Sequence, residues 1–252
     1  MRVGLIGAGN MARAMARGWG DPVLCTDSGS GRAAALAGEL GGEAVASNAE
    51  LAERADLVVL CHKPAQLEAV AGELALAPAR PVASVLGGVS SAALTAAYPD
   101  RPVFRLMPNT PVEVRRGVIA YAPAAGVDPE IEARVRALLK RLGSVVQLPD
   151  EAMEAATATA GVGPAYFALM VEAQAAAAAA RGLSPALASE LVVETMAGTA
   201  ALLAARGNDA IEVRREVTSP GGSTERGLAA LERRDIRAAF EEAFVAVVAG
   251  GR

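Results

Sequence analysis

The chain has 252 residues, 52% of them hydrophobic and 21% charged, with a formal net charge of -4. That length and apolar content suit a globular protein with a substantial core, while the mild acidity supplies no general field for nucleic acid or an anionic membrane surface. Two cysteines and one histidine are too few soft ligands for a Cys/His cluster, so no metal site is expected.

The chain opens Met1-Arg2-Val3-Gly4-Leu5-Ile6, already a strand, so the expectation is no secretory leader and a cytoplasmic location. Apolar runs at Arg2 to Ile6, Val23 to Thr26, Leu57 to Cys61, Val82 to Leu86 and Val103 to Met107 alternate with helical patterns. This is the rhythm of buried parallel strands in a doubly wound sheet. Directly after the first run, Gly7-Ala8-Gly9-Asn10-Met11-Ala12 opens a helix that carries Met15 and Trp19. A GxGxxA pattern alone is weak; a strand before it, a helix after it and Asp27 at the end of the second strand make it a dinucleotide loop. Gly7 serves the tight turn, Gly9 admits the pyrophosphate, and Ala12 allows close helix packing. Asp27 in isolation points to NAD, because a carboxylate holds a ribose 2′-hydroxyl and repels a 2′-phosphate. Thr26, Ser28, Ser30 and Arg32 point to the phosphate. The direction of the Asp27 side chain decides between them.

Further along, Ser47 with Glu50 forms a capping-box pattern. Asp128-Pro129 opens a helix that Gly143 closes after Lys140-Arg141, and Ser144 to Leu148 supplies a last strand. Strand signals stop after Pro149-Asp150. Alanine-rich helices follow: one starts at Pro164 and ends at Arg181-Gly182, the next starts at Ser184-Pro185 and runs to Gly207. The uncharged stretch Ala155 to Val171 is interrupted by Gly161, Gly163 and Pro164, which argues against a membrane span. Helices apolar on nearly every side need neighbours, so a homo-oligomer is expected, with a compact monomeric bundle as the alternative. Near the end, Val217-Thr218-Ser219-Pro220-Gly221-Gly222-Ser223-Thr224 precedes an amphipathic helix. It reads either as an anion seat on a helix N-terminus or as a plain cap with a sharp entry turn.

Five motifs in order carry a resemblance: Gly7 to Ala12, Lys63-Pro64, Arg105-Leu106-Met107-Pro108-Asn109-Thr110-Pro111, Gly163-Pro164-Ala165-Tyr166, and Ser219-Pro220-Gly221-Gly222-Ser223-Thr224. Together they resemble pyrroline-5-carboxylate reductase over nearly the whole chain. The resemblance implies NAD(P)H-dependent reduction of a cyclic imine, 1-pyrroline-5-carboxylate, to L-proline, the last step of proline biosynthesis. NADPH is the expected cofactor, with NADH the alternative. It implies an α/β fold, an N-terminal Rossmann-type doubly wound sheet over residues 1–149 followed by an all-α substrate-binding and dimerisation domain over 150–252. A homodimer that assembles into a larger homo-oligomer such as a decamer is implied as well.

By the same resemblance, Gly9, Asn10 and Met11 meet the pyrophosphate beside Gly7, and Thr26 and Ser28 take the adenosine ribose. Asn48 matches a cofactor-binding asparagine, or merely begins a helix beside Ser47. Lys63, Pro64 and Gly87 fall near the nicotinamide ribose. The substrate carboxylate falls on Gly222, Ser223 and Thr224, with the Thr224 hydroxyl as the catalytic group, and Asp150 stands near the ring where a glutamate is usual. Ala160 and Val162 lack hydroxyls, Ala176 replaces an aspartate, and Glu225 follows Thr224 where an apolar residue is common. His62 also stands where an apolar residue is usual, and a structural or solvent-facing place is expected for it. Two other readings remain: a 3-hydroxyacid dehydrogenase, disfavoured because residues 151 to 252 lack lysine and histidine, and a nucleotide-sensing scaffold without turnover.

Overall fold

Alternation of side chains along each strand sends neighbours to opposite faces, and in this chain both faces are covered. In β1 (Val3–Ile6), Val3 and Leu5 join one buried cluster and Ile6 the other. In β4 (Leu57–Leu60), Leu57 and Val59 face Met15 and Trp19, while Val58 and Leu60 belong with Leu51 and Leu74. Burial on both sides is why these strands read as unbroken apolar runs. The other strands are β2 (Leu24–Thr26), β3 (Glu43–Ala44), β5 (Val82–Ser84), β6 (Val103–Pro108), β7 (Gly117–Pro123) and β8 (Gly143–Gln147). They form one sheet in the order β3-β2-β1-β4-β5-β6-β7-β8, parallel except where β7 runs antiparallel to β6.

The computed structural model describes residues 1–250. It divides into two compact units, Met1–Pro164 joined by the chain from Val248 onward, and Ala165–Val247. In the first lie α1 (Asn10–Trp19), α2 (Arg32–Leu40), α3 (Asn48–Arg54), α4 (Leu67–Leu74), α5 (Ser91–Ala97), α6 (Pro129–Lys140) and the short α7 (Met153–Ala156). Trp19 is buried and donates its indole N–H to the Leu138 carbonyl at 3.1 Å, which ties α1 to α6. The chain then continues through α8 (Gly163–Ala179), α9 (Pro185–Ala205), α10 (Ala210–Glu216), α11 (Ser223–Glu232) and α12 (Ile236–Gly250).

Two strands lie outside those expected from the sequence. β3 is two exposed residues with no hydrophobic signal. β7 begins beside Arg115-Arg116 and needs β6 and β8 on either side to complete it. Gly143 does not close α6, as expected, but begins β8 at φ +141, and a Cβ there would run into the Gly117 backbone.

The second unit has little core of its own. Among its described residues Ala188 and Val213 are the buried apolar side chains, while Phe167, Leu169, Leu191, Ile211 and Phe240 are each about half exposed or more. α9 is long and apolar enough, by length and composition, to cross a bilayer. Helices this apolar with so little covered surface are the pattern of an element buried between subunits.

Candidate active site

Strand order reverses between β1 and β4, the place where open α/β sheets bind ligands at the carboxyl ends of the strands. A cleft of about 610 Å³ opens there, lined by Gly7, Ala8, Gly9, Thr26, Ser28, Asn48 and Lys63 among others. Gly7 donates its N–H to the Thr26 carbonyl at 3.0 Å and sits at φ +98, close against the backbone of Cys61 and His62. Gly9 caps α1 with no side-chain acceptor, and an added Cβ would find nothing within 4 Å. The first N–H groups of α1 therefore open into a cradle that a pyrophosphate fits. Asn10 and Met11 are the first residues of that helix, Asn10 exposed and Met11 packed in part on the core.

At the ribose end, the Asp27 carboxylate is turned into its own loop. One oxygen accepts from Gly29 N–H at 2.8 Å; the other accepts from Ser30 Oγ and Ala33 N–H, both at 2.8 Å. The Ala33 N–H, aided by the Ser30 hydroxyl and the Gly29 N–H, holds the carboxyl below its usual pKa range despite some desolvation. Asp27 thus caps a free N–H in the first turn of α2, and it lines the cleft together with Ser28 and Arg32. Thr26 Oγ1 donates to Asn48 Oδ1 at 2.5 Å, and Asn48 Nδ2 donates to Glu73 at 2.6 Å. Asn48 starts α3 after the Ser47 cap, whose hydroxyl accepts from Glu50 N–H at 3.1 Å.

After β4, Lys63 is exposed in the cleft wall, its N–H bonded to Gln66 Oε1 at 3.2 Å, and Pro64 begins the turn into α4. His62 lines the same cleft. Burial pulls its imidazole below the ordinary pKa against the opposing effects of the Lys63 carbonyl and Glu73. Gly87 follows β5, exposed, with open space where a Cβ would be. Asn10, Met11, Pro64 and Gly87 do not line the cleft itself.

Asp150 has other partners. Its carboxylate accepts from Arg105 at 2.9 Å, from the Ser91 hydroxyl and from the Ser91 N–H at 3.2 Å. Burial alone would raise the Asp150 pKa; the Ser91 hydroxyl and the Arg105 guanidinium outweigh it and hold the carboxyl low. A shallow depression of about 960 Å³ beside it is lined mostly by alanine, proline and leucine side chains and has no phosphate cradle.

Asn109, in the Met-Pro-Asn-Thr-Pro motif, is buried and fully used: Nδ2 donates to the Ala160 carbonyl at 3.1 Å and Oδ1 accepts from Val118 N–H at 2.8 Å. It clamps β7 to a π-helical turn at Thr157–Gly161, a distortion found often at functional sites. The first compact unit continues past the last strand to Pro164 and so includes this turn.

In the second unit, Gly222 caps α11 without a side-chain acceptor, so the N–H groups of Ser223 and Thr224, in the first turn, have no partner within the helix. Ser223 and Thr224 are exposed. Glu225 bends back to accept from the Gly221 N–H at 2.7 Å, which places a carboxylate at the edge of the seat. The structure gathers Gly7, Gly9, Thr26, Ser28, Asn48 and Lys63 into one cleft, sets Asp150 in a separate ion pair, and puts Gly222 to Thr224 on a helix start. Gln66, Ala69 and Glu73 also line the cleft. Gln66 reaches it on the turn that follows Lys63, while nothing local marks Ala69 and Glu73, which reach it through the packing of α4.

Residues 2–88 match the family described as NADP oxidoreductase coenzyme F420-dependent, and residues 150–252 match the one described as pyrroline-5-carboxylate reductase dimerisation. A pyrroline-5-carboxylate reductase of Pseudomonas aeruginosa is 37% identical over 252 residues, covering 96% of this chain and 92% of that protein. The crystal structure of 1-pyrroline-5-carboxylate reductase from Streptococcus pyogenes superposes with a TM-score of 0.91 at 30% identity, over 100% of this chain and 98% of that one. The Plasmodium falciparum pyrroline carboxylate reductase with NADP bound shares the fold, with a TM-score of 0.88 at 24% identity over 100% of this chain and 97% of that one.

Proposed function

The chain belongs to the pyrroline-5-carboxylate reductase family, and we propose on that premise that it reduces 1-pyrroline-5-carboxylate to L-proline with NADPH, closing proline biosynthesis. The observation that carries the reading is the turn at Gly7 and Gly9, an open anion cradle at the switch point of the sheet. When bound, the nicotinamide supplies the hydride. The remaining work is binding and orientation, because an iminium is already electrophilic and asks for position more than for a general acid.

In this reading the α1 N-terminus holds the pyrophosphate, and Thr26 and Asn48 face the adenosine ribose. Ser28 and Arg32 face a 2′-phosphate. The inward turn of Asp27 supports NADPH over NADH, since the carboxylate that would repel the phosphate is spent on α2. Arg32→Ala is accordingly expected to weaken NADPH binding by about tenfold, the worth of one charge-assisted contact, and to leave NADH unchanged. Titration of both nucleotides checks this, and equal loss for both would return the preference to open. Lys63, Pro64 and Gly87 serve the nicotinamide end.

The N–H groups of Ser223 and Thr224, with Gly222, hold the substrate carboxylate, and the Thr224 hydroxyl directs a hydrogen bond to the ring nitrogen as the amine forms. Asp150 acts near the ring at most through water, given its bonds to Arg105 and Ser91. Thr224→Ala is expected to raise KM and lower kcat/KM by about 1 to 3 kcal/mol equivalent. Unchanged kinetics would remove Thr224 from the site.

Consumption of NADPH on addition of pyrroline-5-carboxylate, run beside NADH, tests the activity as a whole. Tight nucleotide binding without turnover would favour a sensing role. Residues 1–149 are taken as the nucleotide domain and 150–252 as the helical substrate and dimerisation domain. The match to a dimerisation family and the exposed apolar helices support a homo-oligomer. A homodimer built into a decamer is the finer proposal, and light scattering of the purified protein gives its mass. A cytoplasmic location is proposed too, supported by the free thiols of Cys25 and Cys61.

A further inference from the structure

Three polar side chains at the ribose end of the cleft form one chain of hydrogen bonds across three elements. Thr26, at the end of β2, donates its hydroxyl to Asn48 Oδ1 at 2.5 Å, and Asn48, at the start of α3, donates Nδ2 to the Glu73 carboxylate at 2.6 Å. Glu73 lies on α4, and all three residues line the cleft. The other end is tied to the dinucleotide turn, because the Thr26 carbonyl accepts the Gly7 N–H at 3.0 Å.

The direction of these bonds is set at Glu73. A carboxylate only accepts, so the end of the amide that faces it is the NH2 group, and the carbonyl oxygen is left for Thr26. The Thr26 hydroxyl can donate or accept, and it follows. Without the carboxylate, that hydroxyl would suit either orientation of the amide, and the amide would turn between them. One hydrogen of Nδ2 is spent on Glu73. The second has no partner among the described residues, and Asn48 is only half-buried.

We propose that Glu73 is a positioning residue for the cofactor: it fixes the Asn48 amide so that the second Nδ2 hydrogen is donated to an oxygen at the adenosine-ribose end, a ribose hydroxyl or the 2′-phosphate. The proposal rests on the reading of the cleft as the NADPH site. Glu73 acts through Asn48, since a carboxylate facing an anionic dinucleotide directly would weaken its binding. The two effects of Glu73, orientation and repulsion, have opposite signs and are separated by comparing two variants.

Glu73→Gln and Glu73→Leu both remove the charge, and only the first keeps an acceptor for Asn48. Their difference therefore reads the hydrogen bond alone. In calorimetric titrations of the full-length protein with NADPH and with NADH, the dissociation constant is expected to be about fivefold higher in Glu73→Leu than in Glu73→Gln. In an Asn48→Ala background the same pair should agree within about twofold, because the acceptor then has nothing to hold. Glu73 is exposed, so neither substitution touches the core, and melting temperatures check this. A difference seen with both nucleotides puts the Asn48 N–H on a ribose hydroxyl; one seen with NADPH alone puts it on the 2′-phosphate.

Equal constants for Glu73→Gln and Glu73→Leu would overturn the proposal while leaving the cleft assignment intact. So would a difference that persists without Asn48, which would place Glu73 on the nucleotide itself. Failure of the wild type to bind either nucleotide would overturn the cleft assignment and this inference with it.

Discussion

Gly7→Ala is expected to weaken NADPH binding by about a hundredfold or more and to lower the melting temperature, whereas Gly9→Ala should weaken binding without touching stability. The difference lies in what each Cβ would meet. At Gly7 it would fall 2.7 Å from the carbonyl carbon and oxygen of Cys61 and 2.8 Å from His62 N, all backbone atoms of the neighbouring strand end. The residue also sits at φ +98, outside the range that side chains tolerate. Relief requires the β1–α1 turn to move away from β4, and displacement of a binding group by about an ångström is enough for a loss of that size. Gly9 is at φ -75 with nothing within 4 Å, so its alanine variant folds normally and fills only the cradle. Isothermal titration with NADPH and thermal unfolding of the two variants check both halves. Normal binding by Gly9→Ala would move the pyrophosphate elsewhere.

Asp150→Ala should cost about 3 kcal/mol of stability, an effect larger than a substrate contact alone would give. The Arg105 side chain is 12% exposed, so removal of the carboxylate strands a nearly buried guanidinium and leaves the Ser91 hydroxyl and N–H without their acceptor. Asp150 itself is 34% exposed, which places the figure at the lower end of the range for breaking a buried pair. The sign with pH is fixed by the direction of the shift. The folded carboxyl is held below its unfolded value, so its contribution is present above about pH 4 and fades as pH falls through the lower, folded value. Asp150→Asn should remove that acid-dependent part, and denaturant titrations of both proteins across this range measure it. A variant with unchanged stability and a raised KM for the imine would instead make Asp150 a substrate contact.

The two kinds of glycine show how far the sequence could be read. The loop at Gly7 and Gly9 was legible because strand, turn and helix are contiguous, and local chemistry alone demands small residues there. Gly143 was misplaced for the opposite reason. Its neighbour is Gly117, brought alongside by the pairing of β7 with β8, and no local pattern reports a partner that far away in sequence. β7 itself escaped notice for the same cause.

The sequence by itself determined the doubly wound sheet, the cleft that its first turn creates and the family motifs, because hydrophobic period, capping and glycine placement are local properties of the chain. Tertiary structure decided where the polar side chains are spent. Asp27 turned out to cap α2, Asp150 to pair with Arg105 and Ser91, and Asn109 to clamp a π turn. Glu73 and His62 came to the cleft wall through the packing of α4 and the end of β4. A carboxylate or an imidazole carries no mark of its partner in the sequence, since hydrogen bonds are chosen by whichever donor or acceptor the fold delivers within about 3 Å.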